Sequence, residues 1–179
     1  MSMTSPSLMS VYEGWDGHQV ALVRAVAKLS AEQLAYRPVP RLRSVGEIAS
    51  HLSVGRIDWF ERIGAPGSAD LARQAEHRES EQTRTSNAAE LVRRLEVTWL
   101  MIEQTLTGWT VADLARTYRH TYLGKTYALS YQWTIWRIMC HDIHHCGELS
   151  LLLGLQGIEI PELGNLGGHI TDPPLAEPE

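Results

Sequence analysis

The sequence predicts an all-α fold, a four-helix bundle with one short β-hairpin before the last helix. Three observations predict it. Apolar residues recur at three- and four-residue spacing through four long stretches, as they do on helices that bury one face. Boxes of Ser or Asn followed three residues later by Glu or Gln stand where helices should open, offering acceptors to unpaired backbone N–H groups. Clusters of Pro and Gly punctuate the ends of the same stretches.

Taken in order, Trp15, His18, Leu22, Val26 and Leu29 lie on one face of a helix expected over residues 9–29. Ser30-Ala31-Glu32-Gln33 is a capping box that opens a short helical turn, stopped before Pro38 and Pro40. Ser44-Val45-Gly46-Glu47 is a second box, opening a helix over residues 44–63 with Ile48, Leu52, Ile57 and Phe60 as core candidates and Gly64 to Gly67 as its stop. Residues 68–86 are polar and charged and predict a long surface connection with some helix. Asn87-Ala88-Ala89-Glu90 begins a helix over residues 87–107 that carries Leu91, Leu95, Thr98, Ile102 and Leu106. Thr117, Tyr118, Tyr122, Thr126 and Tyr127 favour strand, and Gly124-Lys125 offers a turn, so a hairpin is expected near residues 116–127. Ser130 then caps a last helix over residues 130–155, followed by a Gly- and Pro-rich tail expected to be mobile over about residues 165–179.

The chain has 179 residues, of which 44% are hydrophobic and 21% charged, with a formal net charge of -5. That length fits a single domain over residues 1–179 with a core of its own. The acidic balance argues against nucleic-acid or anionic-membrane partners, which select basic patches. Residues 1–10 lack the charged and apolar regions of a signal peptide, and the longest apolar run, near Leu151, is short of a membrane span. Cys140 and Cys146 fall on different sides of the last helix, too far apart to bridge, which suits free thiols in a reducing, cytoplasmic setting.

The chemistry concentrates in Cys140-His141-Asp142-Ile143-His144-His145-Cys146-Gly147-Glu148. On a helix, His141 and His145 lie about 40° apart and about 6 Å along the axis, so both rings can face one point. An i, i+4 pair of this kind chelates a transition metal, and neutral imidazole suits Zn, Ni, Fe or Cu. Spacing alone leaves His141 and His144 as a rival i, i+3 pair. Two ligands rarely hold an ion, and His51, mid-helix among Ile48, Leu52 and Gly55, is the best source of a third. Set against this is the plainer alternative of hydrogen-bonded histidines with no ion.

Two segments then carry a resemblance. Leu42-Arg43-Ser44-Val45-Gly46-Glu47-Ile48-Ala49-Ser50-His51-Leu52 and His141-Asp142-Ile143-His144-His145-Cys146-Gly147-Glu148-Leu149 resemble, in that order, the two histidine-containing segments of the DinB/YfiT-like family; Ser30 to Pro38 resembles a third. The resemblance implies an up-down-down-up four-helix bundle, often a homodimer, with metal ligands at His51, His141 and His145. It departs at Arg43, where the family has an aromatic residue, and at Cys146 and Glu148, where it has arginine and glutamine. It also implies a divalent transition metal, zinc or nickel ahead of iron or manganese, and a transferase using a low-molecular-weight thiol.

Three protein ligands leave room for water or substrate, as catalytic rather than structural ions require. The alternatives are metal-dependent hydrolysis, which needs a base near the ion, and a non-catalytic, metal-stabilised, stress-associated dimer. Candidate catalytic residues are Asp58, seven residues after His51; Glu148, three after His145; and His18, on the apolar stripe of the first helix. For two of them a plainer role stands beside the functional one: surface contact for Asp58 and a satisfied core ring for His18. Asp142 is expected to face outward. Six tryptophans and six tyrosines supply core, interface or pocket walls.

Overall fold

The computed structural model describes residues 7–76 and 87–159. The long helices are α1 (Trp15–Ala27), α3 (Val45–Arg62), α5 (Ala88–Gly108) and α6 (Tyr131–Gly154), with shorter α2 (Ala31–Ala35) and α4 (Ser68–Glu76) between them. A hairpin of β1 (Thr117–Tyr122) and β2 (Lys125–Ser130) feeds directly into α6. Among the described residues no helix is long and apolar enough to cross a membrane.

Two apolar clusters fix the direction of each helix. One gathers Leu22 and Val26 from the end of α1, Ile48 and Leu52 from the start of α3, Leu91 and Leu95 from the start of α5, and Leu149 and Leu153 from the end of α6. The other gathers Trp15, Phe60, Ile102, Leu106, Ile135 and Ile138 from the opposite ends of the same four helices. So α1 and α6 run one way while α3 and α5 run the other, an up-down-down-up bundle. Because α3 and α5 are parallel, a long connection rather than a tight turn joins them, and α4 belongs to its described part.

The capping boxes at Ser30 and Ser44 form in full, each hydroxyl accepting the N–H three residues on and each Gln33 or Glu47 side chain accepting the N-cap N–H. At Asn87 the side chain accepts from Glu90 N–H, while the Glu90 carboxylate is taken by Arg93 and Arg94. Ser130 caps α6 by accepting from Trp133 N–H at 3.1 Å.

Two boundaries differ from expectation. The first helix begins at Trp15 rather than residue 9, because Gly14 adopts a left-handed φ of 94° and breaks the spiral. Ahead of it, Leu8–Ser10 forms a separate 3₁₀ turn with Leu8 buried. The hairpin extends to Ser130, and its turn is Leu123-Gly124 rather than Gly124-Lys125. Tyr122 pairs with Lys125, and both turn residues have positive φ, 48° and 74°, as a two-residue turn matched to strand twist demands. Residues 77–86 of the long connection and the 165–179 tail lie outside the described residues.

Candidate metal centre

The site lies where α3 meets α6. His51 is two turns into α3, held at that height by the Ser44 cap, and Arg37 binds the Glu47 carboxylate at 2.7 Å to secure the same turn. His141 and His145 are consecutive-turn neighbours on α6. On α3, residue 55 is glycine where the His141 ring packs. A Cβ there would stand 2.9 Å from His141 Cε1, so the imidazole occupies the space a side chain would need.

The three rings form a triangle. Ring centroids are 4.9 Å apart for His51–His141, 4.9 Å for His51–His145 and 4.4 Å for His141–His145. His51 Nε2 and His141 Nε2 are 3.1 Å apart, and one nitrogen from each ring lies within 4.8 Å of the others. Tetrahedral nitrogen ligands about 2.05 Å from zinc would stand about 3.3 Å from one another, so the spacing fits a shared ion. Burial, with Arg43 and the neighbouring rings adding to it, pulls the His51 pKa down to about 4. Burial also lowers that of His145, against the opposing pull of Glu148. Both rings therefore present lone pairs, the form a metal takes.

The rear of the triangle is braced. His145 Nδ1 hydrogen-bonds Glu148 Oε2 at 2.6 Å, which leaves Nε2 to face the other rings. Burial alone would raise the Glu148 carboxyl, but the hydrogen bond and charge of His145 hold it below its usual range. Behind His141, its Nδ1 faces Asp142 Oδ1 at 3.9 Å, beyond hydrogen-bond reach, and neither atom has a partner among the described residues.

The DinB family matches over residues 1–169, nearly the whole chain. This chain belongs to the DinB family. A solved structure of a DinB-like protein from Bacillus cereus superposes with a TM-score of 0.66 over 88% of this chain and 98% of that one, at 16% identity, which speaks to the fold. No curated protein matches the chain.

Within this DinB bundle the other sequence candidates fall in different places. His144 is exposed, with Nε2 at 3.3 Å from Glu148 Oε1; together with His145 and Glu148 it makes a second, more open group of ligating atoms. Asp58 is exposed and belongs to neither group. His18 is half-buried rather than a satisfied core ring: its Nδ1 is enclosed with no partner among the described residues. Burial lowers its pKa, against the charge of Asp142. Both cysteines are free thiols, and burial pushes Cys146 up to about 12, which keeps it protonated.

Asp142 does not face outward. It is 1% exposed and accepts from Arg56 Nε at 2.9 Å, an Arg56 terminal nitrogen at 2.8 Å and Trp15 Nε1 at 3.0 Å. Arg56, equally buried, also donates to Gln19 Oε1 at 2.8 Å and to the Leu95 carbonyl at 3.2 Å. Burial would raise the Asp142 carboxyl, yet the Arg56 guanidinium and the Trp15 N–H hold it below its ordinary value. The sequence reading missed this pair. Its signal was present: Arg56 sits between Leu52 and Phe60, and Asp142 between Ile138 and Leu149, at positions where the helical stripe calls for apolar residues.

Proposed function

We propose that this chain holds one divalent transition metal on His51, His141 and His145 and works as a metal-dependent transferase that uses a low-molecular-weight thiol. The observation that carries the reading is the triangle of converging imidazoles, with two rings half-exposed and the third braced from behind by Glu148. A bound ion of this class supplies Lewis acidity, enough to ionise a coordinated thiol. The chain then has two tasks: to hold three ring nitrogens at one point, and to leave the solvent-facing side open for cosubstrate. In the transfer the thiol gives its proton to solvent, its sulfur forms the new C–S bond, and the leaving group departs with the electrons of the bond it loses.

Hydrolysis is the weaker reading because it needs a base beside the ion. Asp142 is committed to Arg56 and Trp15, and the Glu148 carboxylate is engaged by His145 and His144. Thiol transfer asks for no such base. Exposed Trp136 and Ile143, seven residues apart on α6, support assembly as a homodimer through that face.

The test has two parts. Elemental analysis and zinc or nickel titration of the purified chain should give one ion per chain, lost in His51→Ala. A turnover screen pairing thiols with electrophiles should then show activity that follows metal content. A wild-type chain that takes up no metal overturns the proposal; one ion held without turnover reduces it to a metal-stabilised bundle.

A further inference from the structure

Beside the hairpin, against α3 and α6, lies a cleft of about 370 Å³ lined by Trp59, His120, Tyr127, Leu129, Trp133 and Arg137, among others. Arg137 precedes His141 by four residues, so it stands one turn, about 6 Å, along α6 from the triangle. Trp59 follows Gly55 by four residues on α3, and glycine contributes no side chain between the cleft and His51.

The walls are flat and aromatic. Trp59 lies 5.5 Å from Trp133 and 5.2 Å from His120, centroid to centroid. Over these rings sits a guanidinium: Arg137 is 4.5 Å from the Trp59 centroid and 5.4 Å from that of Trp133. Arg62 lies 5.0 Å over Trp59 as well. The two indoles therefore orient Arg137, but no carboxylate of the described residues pairs with it. Arg37, Arg56, Arg93, Arg94 and Arg116 each have one. Among the described residues no acidic one lines the cleft. An oriented guanidinium offers a planar fork of donors that matches a carboxylate, and indole faces favour a flat conjugated body beside it.

We propose that this cleft binds a planar aromatic carboxylate, with Arg137 taking the carboxylate and Trp59 and Trp133 the ring. In its bearing on catalysis this rests on the metal-dependent transfer proposed above, for which the cleft would hold the cosubstrate that accepts the thiol, one helical turn from the triangle. As a binding site it stands on its own geometry.

The experiment is calorimetric titration of the full chain with naphthoate and with its neutral counterpart naphthylmethanol, before and after zinc loading. Naphthoate should bind, with the alcohol about tenfold or more weaker, the difference a charge-assisted hydrogen bond makes. Arg137→Met should erase that preference while leaving zinc affinity, measured by chelator competition, unchanged; Arg137→Lys should keep part of it. Arg137 is exposed, so both variants should fold, and circular dichroism checks this. Equal binding of the two naphthalenes, undiminished naphthoate binding in Arg137→Met, or no binding at all would overturn the proposal. Naphthoate binding by a chain that takes up no zinc would leave the cleft standing and remove the metal reading. Zinc uptake without naphthoate binding would do the reverse.

Discussion

Two polar regions sit side by side on α3 and α6, and they are satisfied in opposite ways. Around Arg56 and Asp142 the chain pairs the charges itself, leaving only Asp142 Oδ1 without a partner among the described residues. The guanidinium reaches Asp142, Gln19 and the Leu95 carbonyl, and Trp15 adds a donor to the carboxylate. In the neighbouring turns, His51 and His141 point Nε2 at Nε2, 3.1 Å apart. The two facing nitrogens can share one proton at most, and His145 brings a third nitrogen to the same place. A polar cluster that pairs its own opposite charges holds helices in register. One made only of converging lone pairs is complementary to a cation. The lesson is that burial of polar groups is not itself a mark of function; the mark is a set of groups that the protein leaves facing something it does not supply.

The sharpest way to break the comparison is to unbalance the self-sufficient region. Arg56→Met leaves Asp142 buried without its counter-charge and should cost roughly 3–5 kcal/mol of stability, read by denaturant unfolding, with Asp142→Leu restoring part of it in the double variant. The pH dependence has a defined sign. The Asp142 carboxyl is held below its unfolded value, so its contribution is fully present above about pH 4 and is lost as pH falls through the lower folded-state value. If Arg56→Met cost less than about 1 kcal/mol, the pair would not be the structural clamp described.

The outline of the fold was legible because local signals agreed. Capping boxes at Ser30 and Ser44, the Ser130 cap and the apolar spacing all point to the elements seen. The histidine triangle was legible by a different route. An i, i+4 pair needs only helix geometry to be recognised, but His51 comes from another helix; its mid-helix place among Ile48, Leu52 and Gly55 suggests it, and the resemblance of its segment supports it. The Arg56–Asp142 pairing is not legible in the sequence, since the partners are 86 residues apart and Asp142, beside His141, reads as an outward-facing residue. The Gly14 break and the placement of the turn at Leu123-Gly124 depend on backbone angles that a side-chain pattern records only faintly.

Next in size are changes to the triangle's bracing. His145→Ala removes a ligand and should abolish stoichiometric metal binding. Glu148→Gln keeps the ligand but weakens the 2.6 Å hydrogen bond that orients it, and should lower zinc affinity by about 10–100-fold. Glu148 is substantially exposed, so the fold should be untouched. Chelator competition on the two variants checks the ranking, and a Glu148→Gln affinity equal to wild type would show that the brace is incidental.

Gly55→Ala separates site from scaffold more finely. The new methyl would meet His141 Cε1 at 2.9 Å, so the ring must shift, and zinc affinity should fall on the order of tenfold. The same change replaces a helical glycine and should stabilise the metal-free chain by about 0.5–1 kcal/mol. Thermal unfolding and zinc titration should thus move in opposite directions; a parallel loss of both would mean that the methyl disturbs helix packing rather than the ring.

The smallest effect expected is also the one that decides the register of the site. His144 and His145 are adjacent on α6, and spacing alone allows either to partner His141. Only His145 is turned into the α3–α6 contact, 5% exposed, with its ring 4.9 Å from that of His51. His144 stands in solvent and touches the group through Glu148 at 3.3 Å, a contact that water can replace at little cost. His144→Ala should therefore leave metal stoichiometry intact and shift zinc affinity by no more than about twofold, through slight loosening of Glu148. If His144→Ala lost the ion while His145→Ala retained it, the metal would belong to the outer group of His144 and Glu148. The inward-facing triangle would then be a second self-contained polar contact, and the contrast between the two regions would disappear.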